Sequence, residues 1–306
     1  MKAAVIDLGT NTFHLVIANI ADGKVKVLYK TNIPVKLGEG RLNENIIIPE
    51  AFERGLQALL QFKEEISKHQ VTIVKATATS AIRSAINGSD FVKAAKEKAG
   101  IAIEVINGEQ EASYIFKGVQ ATGVITQTSL IIDIGGGSTE FILCRPDEVL
   151  WKKSYNIGAA RLMQAFFNSD PINAADQLLI KHHLATELSD LKLACTLHRP
   201  TILIGSAGAF ETFAVLLQKN LDLKSIASTP ISLPAYRFLA AQLIASTHQE
   251  RKQIEGLIPL RVDMIVMAAM ITNYVLDEFK LTTINLSTYD LKMGVLYSLA
   301  SKKTIE

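Results

Sequence analysis

The sequence predicts a two-domain α/β protein in which one architecture occurs twice. The first observation is a strand-loop-strand motif at residues 5–17 that appears again at residues 131–143. The two copies align without a gap at an offset of 126 residues (133 − 7), which matches Asp7 with Asp133. The second observation is that each copy is followed by alternating helices and strands, which is typical of an α/β architecture. A chain of 306 residues is long enough for two such domains.

Each copy of the motif predicts a hairpin with a loop of phosphate size. An apolar run ends in an acid, a turn of small residues follows, and a second apolar run leaves the turn. The turn is Gly9-Thr10-Asn11-Thr12 in the first copy and Gly135-Gly136-Gly137-Ser138-Thr139 in the second, and His14 of the first copy matches Glu140 of the second. Two such hairpins facing each other would form a cleft with two carboxylates and many free backbone N–H groups.

The first half predicts the order β-β-β-α-β-α-β-α. Asp22-Gly23 is a strong hairpin turn, Pro49 is suited to the first turn of a helix, and Gly100 is suited to the end of one. The predicted strands are 2–8, 12–20, 24–31, 71–77 and 101–106, and the predicted helices are 49–69, 89–99 and 109–119.

The second half restarts this order after a boundary at residues 122–127, so the predicted domains are 1–124 and 125–306. Pro230 and Pro234 break the chain within it. The predicted strands are 129–134, 139–145, 148–155, 201–205 and 283–286, and the predicted helices are 158–168, 173–194, 208–219, 235–247, 262–279 and 290–300.

Composition narrows the function classes. The net charge of +2 provides no global basic field, so neither nucleic acid nor a membrane is expected as a partner. The longest apolar run, 264–271, is too short to span a bilayer, and Asp7 interrupts the first apolar run before it could serve as a secretory signal. Cys144 and Cys195 lie outside any CxxC or Cys/His cluster, which is typical of reduced, structural cysteines in a cytoplasmic protein.

The loops predict phosphate binding. Gly135-Gly136-Gly137 can present backbone N–H groups at close range because no Cβ blocks the approach. A tight turn without a ligand is the alternative, but three consecutive glycines exceed what a hairpin needs. The predicted phosphate-binding residues are Thr10, Asn11, Thr12, Gly135, Gly136, Gly137, Ser138 and Thr139.

The strand-end acids predict a metal site. Asp7 and Asp133 each end an apolar strand, where a carboxylate is costly unless it is paired, hydrogen-bonded or metal-bound. Hard oxygen ligands suit Mg²⁺, with K⁺ as an additional candidate cation. Glu140 is the next acid in line and could hold the metal or the attacking water. The alternatives are turn-capping roles for the two aspartates and a solvent-facing strand carboxylate for Glu140.

Four segments together resemble the exopolyphosphatase / guanosine pentaphosphate phosphohydrolase (Ppx/GppA) family. These segments are 7–12, 76–87, 107–112 and 133–140, and they fall in the family's order over nearly the whole chain. The resemblance implies the duplicated ribonuclease H-like fold of the actin/Hsp70/sugar-kinase superfamily, with the active site in the cleft between the domains. It also implies the family's short form, because the sequence contains no His-Asp dipeptide of the helical region that longer members add.

The resemblance assigns two further roles. Glu111 stands at the position of the family's proposed general base, although the segment alone favours an acid that stabilises a helix N-terminus. Arg83 would bind phosphate oxygens through its planar fork, the alternative being a surface arginine. A local basic stretch has two interpretations: it could bind a chain of phosphates, or its side chains could be solvated lysines at a strand edge. The stretch comprises Lys24, Lys26, Lys30, Lys36 and Arg41.

The predicted activity is release of terminal orthophosphate from inorganic polyphosphate, conversion of pppGpp to ppGpp, or both. Water activated by Glu111 would attack, Arg83 and Glu140 would assist, and Asp7, Asp133 and Glu140 would position Mg²⁺. The rivals are an ATP-dependent kinase of the same superfamily and a catalytically weak alarmone-binding sensor. Assembly into a homodimer stays open.

Two segments depart from the family pattern. The loop 205–210 stands where many relatives have a more Ser/Thr-rich glycine loop, and 290–294 stands where many have an arginine-containing version. These departures bear on the far end of the substrate more than on the chemistry.

Overall fold

The computed structural model describes residues 1–301. The chain divides into two compact α/β units, and Thr122–Asp290 forms the second of them. The first unit contains Met1–Ala121 together with the helix that begins at Leu291. The sequence pattern puts 125–306 in one domain, whereas the last helix packs with the first unit; the predicted domain residues 302–306 lie outside the described part.

The elements alternate along the chain much as the sequence predicts. The strands are β1 (Lys2–Leu8), β2 (Thr12–Ala21), β3 (Lys24–Pro34), β4 (Ile73–Ala78), β5 (Ile103–Val105), β6 (Ser129–Ile134), β7 (Thr139–Arg145), β8 (Glu148–Tyr155), β9 (Ile202–Ser206), β10 (Ser228–Ile231) and β11 (Thr283–Ser287). The helices are α1 (Pro49–Lys68), α2 (Ser80–Ser84), α3 (Gly88–Ala94, continued by a wider turn at Ala95–Ala99), α4 (Gly108–Gln120), α5 (Ala159–Phe166), α6 (Ala174–Glu187), α7 (Ser189–His198), α8 (Gly208–Leu217), α9 (Leu233–Ala245), α10 (His248–Lys252), α11 (Ile265–Glu278) and α12 (Leu291–Ser301).

The two sheets have the same core topology. The first has the strand order β3-β2-β1-β4-β5, and the second has the order β8-β7-β6-β9-β11-β10. In each sheet the first three strands form an antiparallel meander, and the central strand then pairs in parallel with the next strand along. The second sheet adds β10 as an antiparallel edge strand. The duplication seen in the sequence is therefore a duplication of the fold.

A β-bulge recurs at the same place in both sheets. It interrupts the β2–β3 pairing between Ile17 and Ala18, and the β7–β8 pairing between Leu143 and Cys144. These positions are 126 residues apart (143 − 17), which is the offset of the sequence repeat. Bulges increase the local twist of a strand pair, so the two outer hairpins bend at equivalent points.

The hairpins that carry the predicted site are rooted in buried strands. The apolar residues of β1 and β6 are fully or almost fully buried, and so are Phe13 of β2 and Phe141 of β7. This burial fixes the register and holds the polar residues at the strand ends in place. Among residues 1–301, no helix combines the length and the apolar character needed to cross a bilayer.

The predicted elements omit the short helix α2 (Ser80–Ser84) and differ from the structure at three places in the second unit. The predicted helix 173–194 is two helices, α6 and α7, that meet at the buried Leu188. At the start of α7, the carboxylate of Asp190 accepts hydrogen bonds from the Tyr155 hydroxyl and the Leu191 backbone N–H, and an acid in the first turn of a helix is favoured by the helix dipole. The pattern missed β10, where Pro230 is tolerated because the strand lies at an edge. It also missed α10, whose residues carry a capping box.

Candidate active site

The first unit gathers its predicted site residues at one edge of its sheet. Asp7 lies near the carboxyl end of β1, opposite His14 on β2 and beside Thr77 on β4. Arg83 is on α2, which follows β4, and Glu111 is on α4, which follows β5. The strands β1, β4 and β5 are parallel, so their carboxyl ends meet at the edge where open α/β sheets bind ligands.

Glu111 is buried and paired with Arg83. Arg83 Nη1 donates to Glu111 Oε2 at 2.8 Å and to the Ile106 carbonyl at 3.0 Å. Glu111 is 6% exposed. The start of α4 is instead capped by Asn107 and Gln110, which form a reciprocal capping box. The side chain of Glu111 is therefore directed at Arg83, and the simple helix-terminus explanation does not account for its burial.

In the loop of the first hairpin, the backbone carbonyl groups face the 36–38 segment and accept hydrogen bonds from it. The Gly38 N–H donates to the Thr10 carbonyl at 3.0 Å, and the Lys36 N–H donates to the Asn11 carbonyl at 2.8 Å. In a planar trans peptide, the N–H of the next residue points opposite to the carbonyl. The N–H groups of Asn11 and Thr12 consequently point away from the 36–38 segment.

The glycine loop of the second hairpin is held in the same way by the start of α5. The carbonyls of Gly135–Gly137 accept hydrogen bonds, at 2.9–3.1 Å, from the backbone N–H groups of Ala159 and Ala160 and the Nε of Arg161. By the same peptide geometry, the N–H groups of residues 136–138 point away from α5. Successive N–H groups aligned in this manner form an anion-binding concavity.

Two acids face each other on the second hairpin. Asp133 on β6 is the cross-strand partner of Glu140 on β7, so both side chains lie on the same face of the sheet. Glu140 is 2% exposed, which rules out the solvent-facing alternative. Its Oε1 accepts hydrogen bonds from the hydroxyls of Ser138 at 2.7 Å and Ser154 at 2.6 Å. Two carboxylates placed directly opposite each other on a sheet repel each other when both are ionised.

The donor set of the second hairpin fits a hard cation. Asp133 Oδ2 also accepts from the Ser206 hydroxyl at 2.9 Å, at the end of the neighbouring strand β9. Within residues 1–301, no group of three or more His, Cys, Asp or Glu side chains converges as a ready-made metal cage. Mg²⁺ bound at the acid pair would thus keep water or phosphate oxygens as its remaining ligands, which is its usual preference.

The first hairpin is arranged differently. The ammonium of Lys292, on α12, lies 3.7 Å from Asp7 Oδ2, and both side chains are 15% exposed. The carboxylate that the sequence predicts as a metal ligand is therefore ion-paired with a cation of its own chain. The sequence gives no sign of this contact, because Asp7 and Lys292 are 285 residues apart (292 − 7).

Arg261 is a second residue that the sequence did not predict. Its guanidinium nitrogens lie 3.8 and 3.9 Å from the point where a Cβ on Gly208 would stand, at the start of α8. Burial lowers the pKa of Arg261, and the carboxylates of Glu211 and Asp133 act in the opposite direction. Arginine remains charged after such shifts, so it places a cation near the second hairpin. The sequence around Arg261 contains no motif that would predict a cation near the second hairpin.

The atypical 205–210 loop is under two constraints. A Cβ on Gly205 would lie 1.9 Å from the ring of Phe210, so only glycine fits there. Ala207 has φ +41°, a backbone conformation that favours glycine, and its N–H donates to the Ser287 carbonyl at 2.8 Å. Strain of this kind persists where the surroundings hold it in place.

The basic stretch around β3 does not form a single row. Lys26 pairs with Asn19 and Lys30 pairs with Val16, and these two β2 residues point to opposite faces. The bulge in the β2–β3 pairing separates Lys24 and Lys26 from Lys30 in this way. The structure favours solvated lysines on an edge strand over a continuous track for a phosphate chain.

Two units with the same five-strand order, each with a phosphate-sized hairpin loop and an acid at the carboxyl edge, define a duplicated ribonuclease H-like protein of the actin-like class. The sequence pattern of the Ppx/GppA phosphatase family matches residues 16–303. The chain belongs to that family.

Similar proteins agree with this membership. The crystal structure of an exopolyphosphatase from Cytophaga hutchinsonii is 39% identical, with a TM-score of 0.95 over 99% of this chain and 98% of that chain. A Haemophilus influenzae protein with the provisional name exopolyphosphatase is 32% identical over 97% of this chain and 91% of its own length. A guanosine-5'-triphosphate,3'-diphosphate pyrophosphatase from Pseudoalteromonas translucida is 29% identical over 97% of this chain, which spans 59% of that longer protein. These names do not support the kinase alternative.

Proposed function

We propose that the protein hydrolyses phosphoanhydride bonds and releases terminal orthophosphate from inorganic polyphosphate, from pppGpp, or from both. The observation that carries this proposal is the ion pair between the buried Glu111 and the partly exposed Arg83 at the carboxyl edge of the first sheet. The proposal is supported by the similarity to the crystal structure of an exopolyphosphatase, which extends over 99% of this chain.

In the first unit, Glu111 is the proposed general base. An ionised carboxylate held by Arg83 can accept a proton from water, and a positioned base typically contributes about 10²–10⁴-fold to rate. Arg83 uses one nitrogen for Glu111 and the Ile106 carbonyl, so other N–H groups of its planar fork are available for phosphate oxygens. The N–H groups of Asn11 and Thr12, with the hydroxyls of Thr10 and Thr12, are proposed to bind phosphate as well.

In the second unit, the N–H groups of residues 136–138 and the hydroxyls of Ser138 and Thr139 are the proposed phosphate ligands. Asp133 and Glu140 are the proposed ligands of Mg²⁺, with Asp7 as a weaker contributor because of its ion pair. When bound, Mg²⁺ would neutralise charge on the phosphoryl oxygens and the leaving phosphate. The serine hydroxyls that donate to Asp133 and Glu140 would hold these carboxylates in position for that cation.

The two cysteines support a cytoplasmic location. Cys144 and Cys195 are both free and buried. Burial raises the pKa of each thiol to about 12, so both stay protonated and inert. We propose a reducing cytoplasmic compartment on this basis.

The test is orthophosphate release from polyphosphates of several lengths and from pppGpp, with Mg²⁺ and with chelator. Terminal cleavage should release orthophosphate from the first turnover, and chelator should abolish it. Long internal fragments as first products would contradict terminal cleavage. Phosphate transfer from ATP to an acceptor would identify a kinase, and tight pppGpp binding without turnover would identify a sensor.

A further inference from the structure

In the second unit, an arginine contacts the glycine loop from behind. Arg161, in the first turn of α5, donates from its Nε to the Gly137 carbonyl at 3.1 Å. The carbonyl of Gly137 and the N–H of Ser138 belong to one planar peptide and point in opposite directions. The hydrogen bond from Arg161 therefore fixes the direction of the Ser138 N–H.

The packing of α5 against the loop holds Arg161 in place. A Cβ on Gly158 would lie 2.4 Å from the Gly136 carbonyl oxygen, so the backbones of the two segments are in direct contact. The Thr139 hydroxyl also donates to the Ile157 carbonyl at 3.1 Å, just before α5 begins. The start of α5 and the glycine loop are therefore expected to move together, and Arg161 keeps a fixed position relative to the loop.

The first unit has a similar arrangement with one more link. Arg54 on α1 donates from its Nε to the Val35 carbonyl at 2.9 Å. The peptide of that carbonyl carries the Lys36 N–H, which donates to the Asn11 carbonyl at 2.8 Å. The peptide of the Asn11 carbonyl in turn carries the Thr12 N–H. The arginine, two peptides and the Thr12 N–H thus form one chain of hydrogen bonds.

The N–H groups at the ends of these two chains are equivalent. Thr12 and Ser138 are matched by the sequence repeat (138 − 12 = 126). A charged donor on a peptide carbonyl polarises that peptide and strengthens its N–H as a donor. The effect should be stronger at Ser138, because Arg161 contacts its peptide directly. Arg54 acts through two peptides, and it is also ion-paired with Glu39 at 2.6 Å.

We propose that Arg161 and Arg54 are positioning residues for substrate phosphate. Each orients and polarises one N–H group of its own unit, that of Ser138 or that of Thr12. The repeat does not match the two arginines, since residue 161 corresponds to Val35 (161 − 126 = 35). The two units therefore reach the same arrangement from different helices. The role in phosphate binding rests on the proposed function, whereas the polarisation of the two N–H groups is independent of turnover.

The first experiment separates the hydrogen bond from the charge. Glutamine places its Nε2 donor where the arginine has Nε but carries no charge, whereas methionine keeps the apolar stem and has no donor. With inorganic polyphosphate of one length and Mg²⁺, R161M should raise KM about tenfold and R161Q about threefold, with kcat changed less than about twofold. R54M should raise KM about threefold. A parental KM in R161M would overturn the proposal.

The second experiment needs no substrate. In protein labelled with ¹⁵N at serine and threonine, R161M should move the Ser138 amide proton resonance upfield and leave that of Thr12 in place. R54M should do the reverse, because the two peptides are polarised by different arginines. Resonances that stay at their parental positions in both variants would contradict the proposal even if KM rose.

Arg237→Met is the matched control, since Arg237 on α9 donates to Asn273 and Asp277 on α11 within the second unit. This variant should lower the melting temperature and leave KM and both resonances unchanged. A KM increase in R237M equal to that in R161M would indicate a merely structural effect and overturn the proposal. If the parent protein released no orthophosphate, the proposed function would fail, while the two resonances would still decide whether the arginines polarise these N–H groups.

Discussion

The two hairpins share their backbone but not their charges. Both have an acid near the end of the first strand, a loop whose carbonyls are tied to the protein, and a bulge at an equivalent place. The first places Asp7 opposite His14 and near Lys292, whereas the second places Asp133 opposite Glu140. The comparison teaches that duplication can preserve geometry while the two copies divide the chemistry. We expect the first unit to supply the base and a fixed cation, and the second to supply the metal ligands.

The largest effect is expected from Glu111→Gln. The glutamine keeps the size and one acceptor but cannot take a proton, so kcat should fall by about 10²–10⁴-fold while substrate affinity survives. Glu109→Gln is the control, because Glu109 is exposed in the first turn of the same helix. If Glu111 were only structural, the variant would show a lowered melting temperature with near-normal kcat.

The second comparison is Asp133→Asn against Asp7→Asn. Loss of a charge from the opposed acid pair should raise the Mg²⁺ concentration for half-maximal activity by about tenfold or more. Asp7→Asn should shift it less because Asp7 is already ion-paired with Lys292. Steady-state rates across a Mg²⁺ titration measure both shifts. Near-parental curves for the two variants would remove the metal assignment.

The glycines that open the two loops allow a matched steric test. A Cβ would lie 2.9 Å from the Thr12 carbonyl oxygen in Gly9→Ala and 3.0 Å from the Ser138 carbonyl oxygen in Gly135→Ala. Both variants should lose about 1–3 kcal/mol of stability by denaturant unfolding. Gly135→Ala should raise KM more, by about tenfold, since the glycine loop offers three aligned N–H groups. A larger KM increase for Gly9→Ala would reverse the assignment of the main phosphate loop.

A smaller, stabilising effect is expected from Ala207→Gly. Glycine relieves the φ of +41° at the end of β9 beside the second hairpin, and its added unfolded-state entropy offsets part of the gain. The net increase should be about 1 kcal/mol in the free energy of unfolding. Ala209→Gly, two residues further on in α8, should instead cost about 1 kcal/mol. Destabilisation by Ala207→Gly would show that the methyl group packs favourably enough to outweigh the strain.

The smallest effect is expected from Cys144→Ala. Cys144 stands at the bulge of the second sheet, and the equivalent residue of the first sheet is already alanine, Ala18 (144 − 18 = 126). The loss should be within about 1 kcal/mol of unfolding free energy, with kcat unchanged. A marked loss of activity would show that the bulge region of the second copy has acquired a role that the first lacks.

Local patterns were sufficient for much of the fold and part of the site. The repeat alone predicts that Asp133 and Glu140 belong to one hairpin, and the structure confirms that they are cross-strand partners. It could not predict that Arg83 contacts Glu111, because the two side chains lie on separate helices and meet only when the sheet assembles. The roles predicted for these residues stay predictions until the variants are measured.

Hydrophobic periodicity could not predict contacts between residues that are far apart in the sequence, because it reports only on local structure. The placement of α12 depends on Gly294, which permits backbone contact with α4. A single glycine within a helical pattern does not indicate such a contact. The contacts of Arg261 depend on a loop whose residues are not periodic. The continuous helical periodicity of 173–194 likewise gives no sign of the break between α6 and α7.

The return of α12 to the first unit has a consequence for how the gene could be divided. Thr122–Asp290 is one uninterrupted guest segment, and its host is assembled from the residues before it and after it. The guest can be produced alone as a continuous polypeptide, whereas the host requires a new covalent junction between Ala121 and Leu291. A single chain cut at residues 122–127 would therefore separate Lys292 from Asp7 along the chain, and the host would have to be rebuilt from two fragments.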